Sequence, residues 1–396
     1  MSESKRLVDL VQSRIDEFLM SRDPIVTLIS SDLTPLIDYS RQFLSGGKRF
    51  RAQFCYWGAQ CVLPPELSAI AHSNSLDSSE GHSAANTSNA DTESPALVPD
   101  AGGLNAVVSV ASALEIFHAA ALVHDDIIDN SDTRRGAPSA HKLFESLHQG
   151  EGWAGNPTTF GRASAILLGD LLLGWSDELL DEGLFDMTDR GSARRARLEF
   201  NHMRTEVTAG QYLDILEERA WLVYPEAELL DRALRVIVFK SAKYSVQAPL
   251  VIGAALAGAS DAQLHSLREF GLPLGMAYQL RDDLLGVFGD SAITGKPSGD
   301  DLTEGKRTVL IALAREGLQD SDRATLDAQL GDATLTSQQI RSLQKIILDS
   351  GAVDRVEDLI TTQVETALTA LRTAPISAIA RHKLLEMTDR VTRRSF

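Results

Sequence analysis

Apolar residues recur at three- and four-residue steps through nearly the whole chain, and this repeat restricts the possible folds more than any other feature. Leu7, Val11, Ile15 and Phe18 open the pattern, and comparable stripes run through 107–129, 163–181, 193–219, 226–257 and 352–372. A period near 3.6 gathers such residues on one helix face, whereas a half-buried strand would alternate at every second position. Alternating β-branched segments joined by hairpin turns are missing. The expectation is therefore an all-α fold, a single large bundle of ten or more helices around a central cavity, with 1–396 as one domain.

The interruptions are local. Ser45-Gly46-Gly47, Asp186 to Ser192, Gly289 to Gly305 and Ser350-Gly351 read as turns, while Pro249 and Pro273 fall inside helical patterns and are expected to kink them. The stretch 72–103 is rich in Ser, Asn, Asp and Ala with almost no large apolar residue. It cannot offset its ordering entropy and reads as a mobile insertion rather than a domain boundary. A second loop is expected from His148 to Arg162, either covering a site or making an ordinary surface excursion.

Composition excludes several classes. The longest apolar run, Pro249 to Ala257, is shorter than the roughly 18 residues of a membrane span, and the start MSESKRLVDL lacks a secretion signal, so no membrane span and a cytoplasmic location are expected. Cys55 and Cys61 are too few for a disulfide framework or a thiolate metal site and read as core residues. A net charge of −17 argues against nucleic acid as a partner. Basic residues nevertheless gather in short nests, Lys48-Arg49-Arg51, Arg134-Arg135, Lys240 and Lys243, Lys296, and Lys306-Arg307, as a small anionic ligand would require.

Chemistry is concentrated in two acidic motifs. In LVHDDIID, Asp125 and Asp129 stand one helical turn apart with Asp126 beside them, at roughly 5–6 Å between β-carbons, where like charges repel unless a cation intervenes. Hard oxygen ligands without cysteine suit magnesium, which keeps positions for water and phosphate oxygens. Taken alone, this motif is equally a solvated acidic helix end. The motif QLRDDLLGVFGD repeats the pattern at Asp282 and Asp283. Opposed across a bundle, the two could clamp a diphosphate through several ions and stabilise charge on a leaving group. Arginine forks and mobile lysines suit the phosphate oxygens, although any one basic pair is also ordinary surface charge. His124 reads as a core histidine, whereas His118, two turns before Asp125 on its face, is as readily a ligand as a core residue.

In order, GGKRFR, EIFHAAALVHDDIIDNSDTRRG, GQYLDI, KSAK, YQLRDD and GKPSGDDLTEGKRT resemble the trans-prenyl diphosphate synthases, most nearly the geranylgeranyl diphosphate synthases, from about Asp32 onward. The resemblance implies an isoprenoid synthase-like helical fold, a homodimer, and two or three Mg2+ ions on Asp125, Asp129 and Asp282, with Asp126 and Asp283 completing the catalytic motifs. It assigns Lys48, Arg51, His118 and Arg135 to the diphosphate of isopentenyl diphosphate. Arg134, Lys240, Ser241, Gln279, Lys296 and Lys306 fall to the allylic diphosphate, with Gln211 and Asp214 in supporting places. The implied reaction ionises the allylic diphosphate, adds the double bond of isopentenyl diphosphate to the cation and loses a proton. Ala120 and Ala121 stand where bulky aromatics often stop chain growth at fifteen carbons, so a product of twenty or more is expected, with Phe117 and Leu114 deeper in the cavity.

Departures bear on this reading. The second motif commonly ends in a third aspartate, but Gly286 stands there, and Asp290 is a compensating candidate; Ala52 and Ser241 replace a frequent proline and threonine. Three rivals remain open. A di-iron bundle would use Glu115-x-x-His118 and Glu145-x-x-His148. A terpene cyclase would need an Asn/Asp-x-x-Ser/Thr-x-x-x-Glu motif where RDDLLG stands, and a non-catalytic partner subunit would tolerate Gly286.

Overall fold

The computed structural model describes residues 3–62, 101–134, 136–289 and 298–392. Helix α1 (Glu3–Ile29) leads into α2 (Thr34–Phe43) and α3 (Phe50–Gln60). Helices α4 (Ala101–Ile128), α5 (Ala140–Gly150), α6 (Pro157–Phe185) and α7 (Arg190–Ala220) follow. A continuous helical run then comprises α8 (Glu226–Val236), a π-helical segment (Ile237–Gln247) and α9 (Ala248–Leu256), before the long α10 (Asp261–Phe288). Short α11 (Asp300–Glu304), α12 (Val309–Gly317), α13 (Asp320–Gln329), α14 (Ser337–Asp349), α15 (Ala352–Thr373) and α16 (Ala378–Thr392) complete the chain. Among the described residues the only strands are the two-residue pair Thr133–Arg134 and Ala137–Pro138.

The expected all-α architecture is present. Leu7, Val11, Ile15 and Phe18 are all buried, as the opening stripe requires. Helix α4 packs along α6, α9 lies against α3 and α7, and α10 is flanked by α15 and the π segment. Two apolar clusters result, one around α1 to α7 and one around α8 and α11 to α15, with α10 contributing to both. Cys55 and Cys61 lie in the first, and burial pushes both thiols up to about 12, which leaves them inert packing residues.

Several expectations change. By length and composition Gly103–Ile128 could cross a membrane, but 78% of its most apolar window is buried inside the bundle, where a core helix sheds its stripe. The insertion at 72–103 lies outside the described residues except at its end, where Ala101 already starts α4. The loop from His148 to Arg162 shrinks to 151–156, because α5 continues to Gly150 and Asn156 caps α6 by accepting from the Thr159 N–H at 2.9 Å. Trp153 packs edge to face on both His148 and Phe160 there, and those two rings lie tilted against each other, at 5.2–5.9 Å between centroids. Within 289–305 stands α11, and Pro249 lies inside the continuous helical run, at the junction where the π segment passes into α9.

The π segment is clamped between two glycines. A β-carbon at Gly210 in α7 would lie 2.4 Å from the backbone nitrogen of Lys240, and one at Gly275 in α10 would lie 2.4 Å from the carbonyl oxygen of Ala242. Both glycines permit backbone-to-backbone approach that any larger residue forbids. Gly210→Ala is expected to cost about 1–3 kcal/mol by overpacking, seen as a lower thermal unfolding midpoint; an unchanged midpoint would show that the segment is free to retreat.

Candidate active site

The carboxyl end of α4 carries the first acidic motif into a cluster of cations. The Arg134 Nε donates to Asp126 Oδ1 at 2.8 Å, and its Nη2 donates to Asp125 Oδ2 at 3.2 Å. Lys240, from the π segment, is ion-paired with Asp214 of α7 and lies 3.4 Å from Asp125 Oδ1. Lys306, just past α11, reaches Asp129 Oδ2 at 3.5 Å, Glu304 at 2.8 Å and Asp301 at 3.9 Å. The turn after the motif is fastened to the same place by the Ser131 hydroxyl, which donates to Glu304 Oε1 at 2.9 Å.

The second motif meets this cluster through Lys306. Asp283 is buried and accepts from Gln279 Nε2 at 2.8 Å, while Asp282 beside it is exposed. Lys306 and Asp301 both act electrostatically on Asp283, so both motifs face one charged pocket although they stand far apart in the chain. Ser241 is half-buried on the π segment, and a buried Gln211 Nε2 makes no hydrogen bond among the described residues. Arg135, Asp290 and Lys296 lie outside the described residues.

Burial and charge set the protonation states. Burial alone would raise the Asp125 carboxyl, but Lys240, Lys306 and Arg134 outweigh it and hold the group well below the usual range. Asp129 is raised, first by burial and then by the charge on Asp125, against the pull of Lys306. Asp283 is held far above the usual range by burial, only partly relieved by its bond from Gln279. Burial would lower Lys306, yet Asp301 and Glu304 keep it firmly charged.

A second cationic group sits beside the first. Arg51 lies with its Cζ 4.2 Å over the Tyr244 ring and its Nη2 donates to Ser245 Oγ at 2.8 Å. The Tyr244 hydroxyl is 3.1 Å from His118 Nδ1. Lys48 is exposed on the preceding loop. That loop is anchored by a buried pair in which Arg49, with a left-handed φ of 50°, faces Glu115 at 3.4 Å and donates to the Leu44 carbonyl, while Glu115 Oε1 accepts from the Ala52 N–H at 3.0 Å. The sequence did not single out Tyr244, Glu115 or Arg49 for these places. Their signal was position alone, four residues after Lys240, three before His118 and next to Lys48.

Two earlier assignments change. Half-buried His118, Ala121, Leu122 and Asp125 share one face of α4, whereas Ala120 has no exposure and turns into the core. Phe117 is buried edge to face against Phe200 and Tyr244, at 6.0 and 5.8 Å between centroids. His124 is not a core residue; it is partly exposed, 3.4 Å from Asp170 on α6. The di-iron reading fails because Glu115 and His118 are committed to Arg49 and Tyr244, while His148 Nε2 meets the Ala154 carbonyl at 3.2 Å and Glu145 meets Lys142 at 2.8 Å.

Among the described residues no group of three or more His, Cys, Asp or Glu side chains is arranged to hold a metal alone. The donor set instead suits ions shared with a ligand's oxygens, because among the described residues the buried Asp125 Oδ1 makes no hydrogen bond and has only the Lys240 ammonium at 3.4 Å, and hard carboxylates line both walls. Glu218 completes the acidic wall. Burial, then Asp214 and Asp129, raise it to about 7 from 4.5. Its contribution to stability is therefore present below about pH 4.5 and lost as pH rises through about 7. Glu218→Gln should consequently raise the metal-free thermal midpoint over wild type at about pH 8, with the difference vanishing near pH 4; equal gains at both would remove the assignment.

The polyprenyl synthetase family model matches residues 34–347. Geranylfarnesyl diphosphate synthase of Aeropyrum pernix is 30% identical over 289 residues, 72% of this chain and 83% of its own length. Geranylgeranyl diphosphate synthase of Saccharolobus solfataricus is 30% identical over 283 residues, 71% and 78% respectively. The crystal structure of geranylgeranyl pyrophosphate synthase from Corynebacterium glutamicum, complexed with isoprenyl diphosphate and magnesium, superposes with a TM-score of 0.84 at 34% identity over 100% of both chains. A match of this extent, falling on a helical bundle whose two acidic motifs share one cationic pocket, makes the chain a member of the polyprenyl synthetase family.

Proposed function

We propose that the chain condenses isopentenyl diphosphate with an allylic diphosphate, head to tail, to give a linear trans-prenyl diphosphate of twenty carbons or more, geranylgeranyl diphosphate foremost. The observation that carries this reading is Lys306, which contacts the first acidic motif directly and acts on the second electrostatically inside one pocket.

Asp125, Asp129 and Asp282 would hold two or three Mg2+ ions, which supply Lewis-acid charge neutralisation to the leaving diphosphate. Asp283, buried and accepting from Gln279, supports that set from behind Asp282. Lys240, Lys306, Ser241, Gln279, Lys296 and, once released from Asp125 and Asp126, Arg134 take the allylic diphosphate. Lys48, Arg51, His118 and Arg135 take the diphosphate of isopentenyl diphosphate. The allylic C–O bond breaks and its electron pair leaves with the diphosphate. The double bond of isopentenyl diphosphate then forms the new C–C bond, and the proton lost from the adduct passes to the released diphosphate. The apolar surroundings keep water from the cation. A cytoplasmic homodimer agrees with this reading, and exposed Ile166 and Leu167 on α6 offer apolar surface for a second copy.

Incubation with isopentenyl diphosphate, Mg2+ and each short allylic diphosphate should yield products of at least twenty carbons. No elongation with any primer would favour a non-catalytic subunit. Asp125→Asn should lower kcat by about 10²–10³-fold without unfolding the protein. Ala121→Phe should shorten the main product by at least one isoprene unit, whereas Ala120→Phe, on the core side, should lower stability and leave chain length alone; the reverse pattern in a product chromatogram would move the cavity wall to the other face.

A further inference from the structure

The three cations of GGKRFR point in different directions. Lys48 is exposed on its loop and Arg51 stands over the Tyr244 ring, but Arg49 between them is buried and turned inward. Its guanidinium reaches three elements: Nη1 donates to Glu115 Oε2 of α4 at 3.4 Å, while Nη2 donates to Gln12 Oε1 of α1 at 2.6 Å and to the Leu44 carbonyl just after α2. Arg49 is thus committed to protein partners. Its backbone holds φ at 50°, a left-handed conformation that a residue with a β-carbon keeps only where its surroundings fix it. It also stands at the N-cap of α3 without a side chain able to accept a hydrogen bond. Glu115 supplies what the cap lacks, because its Oε1 accepts from the Ala52 N–H at 3.0 Å and sets a carboxylate at the positive end of the α3 dipole. One carboxylate therefore fixes both the inward guanidinium and the helical turn that carries Arg51, and it lies three residues before His118 on α4. Gln53 closes the loop, its Nε2 donating to the Lys48 carbonyl at 2.5 Å.

We propose that Arg49 and Glu115, with Gln12 behind them, are positioning residues for the isopentenyl diphosphate half of the site, holding Lys48, Arg51 and His118 in register before that substrate arrives. The proposal rests on the prenyl synthase reading and adds to it a separation of the two halves. Lys240 and Lys306 of the allylic half are held by other groups, Asp214, Glu304 and the first acidic motif. Cations already in place bind a diphosphate without being ordered by it, whereas a loosened loop must be ordered at each binding event. Weakening the inward clamp therefore weakens one substrate and spares the other, and it acts on affinity rather than on bond breaking.

Steady-state kinetics, with each substrate varied against a saturating partner, and thermal unfolding test this. Arg49→Lys keeps a charge facing Glu115 but loses the fork, and should raise KM for isopentenyl diphosphate about tenfold, the size of one charge-assisted hydrogen bond, with kcat and the allylic KM within about twofold of wild type. Gln12 is only partly buried, so Gln12→Ala should fold and raise the same KM roughly threefold, and Gln12→Glu, which keeps an acceptor, should restore it. A lower unfolding midpoint with both KM values unchanged overturns the proposal, because Arg49 and Glu115 would then only stabilise the fold. An equal rise in both KM values, or a fall in kcat alone, also overturns it. If Arg49→Lys does not fold, the two Gln12 variants decide by the same criteria. Failure of the wild-type protein to consume isopentenyl diphosphate with any primer overturns the functional reading itself, and this proposal with it.

Discussion

The pocket depends on charge balance in a confined space. Asp125 and Asp129 are brought one turn apart by the geometry of α4, and their mutual repulsion is met by Lys240, Lys306 and Arg134 from three other segments. Each cation is drawn to the site by the carboxylates and holds its own backbone element in place. The π segment, the residues after α11 and the short strand pair after α4 are thereby tied to a single point. Burying such groups is favourable only while every charge has a partner nearby, which makes the arrangement cooperative. A diphosphate bound there would offer these cations new partners, so charges would be exchanged rather than left exposed.

Most of the helical skeleton was legible because a 3.6-residue apolar repeat has few alternatives over such length. Leu7, Val11, Ile15 and Phe18 illustrate this, since each is interior. Errors arose where periodicity does not decide. The segment around His148 looked like a long loop because glycines and an asparagine mark both ends, but capping at Asn156 shortens it. Ala120 and Ala121 are chemically identical neighbours, and only their rotation about the helix axis separates a core position from the open face.

The acidic and basic residues were legible as types and poorly legible as pairs. Sequence spacing can bring Asp125 and Asp129 together, because they are four residues apart where α4 ends and the Asp129 N–H still donates to the Asp125 carbonyl, but it cannot pair Lys306 with Asp129 or place Asp301 against Gly286. Tyr244 escaped notice for the same reason. Its value lies in standing between Arg51 and His118, which come from two different helices. Arg49 shows the converse: grouped by sequence among ligand-like cations, it is buried against Glu115 and shapes the loop that presents Lys48.

The π segment bears on how the two cationic groups are spaced. Lys240 faces the acidic end of α4 and Tyr244 faces Arg51 and His118, and both belong to one stretch of widened helical turns wedged between α7 and α10. Widened turns hydrogen-bond five residues apart instead of four, which rotates successive side chains differently from an ordinary helix. The separation of the two anchoring points is therefore written into main-chain winding, like the fixed jaws of a gauge, and no change of side-chain rotamer alone can reset it.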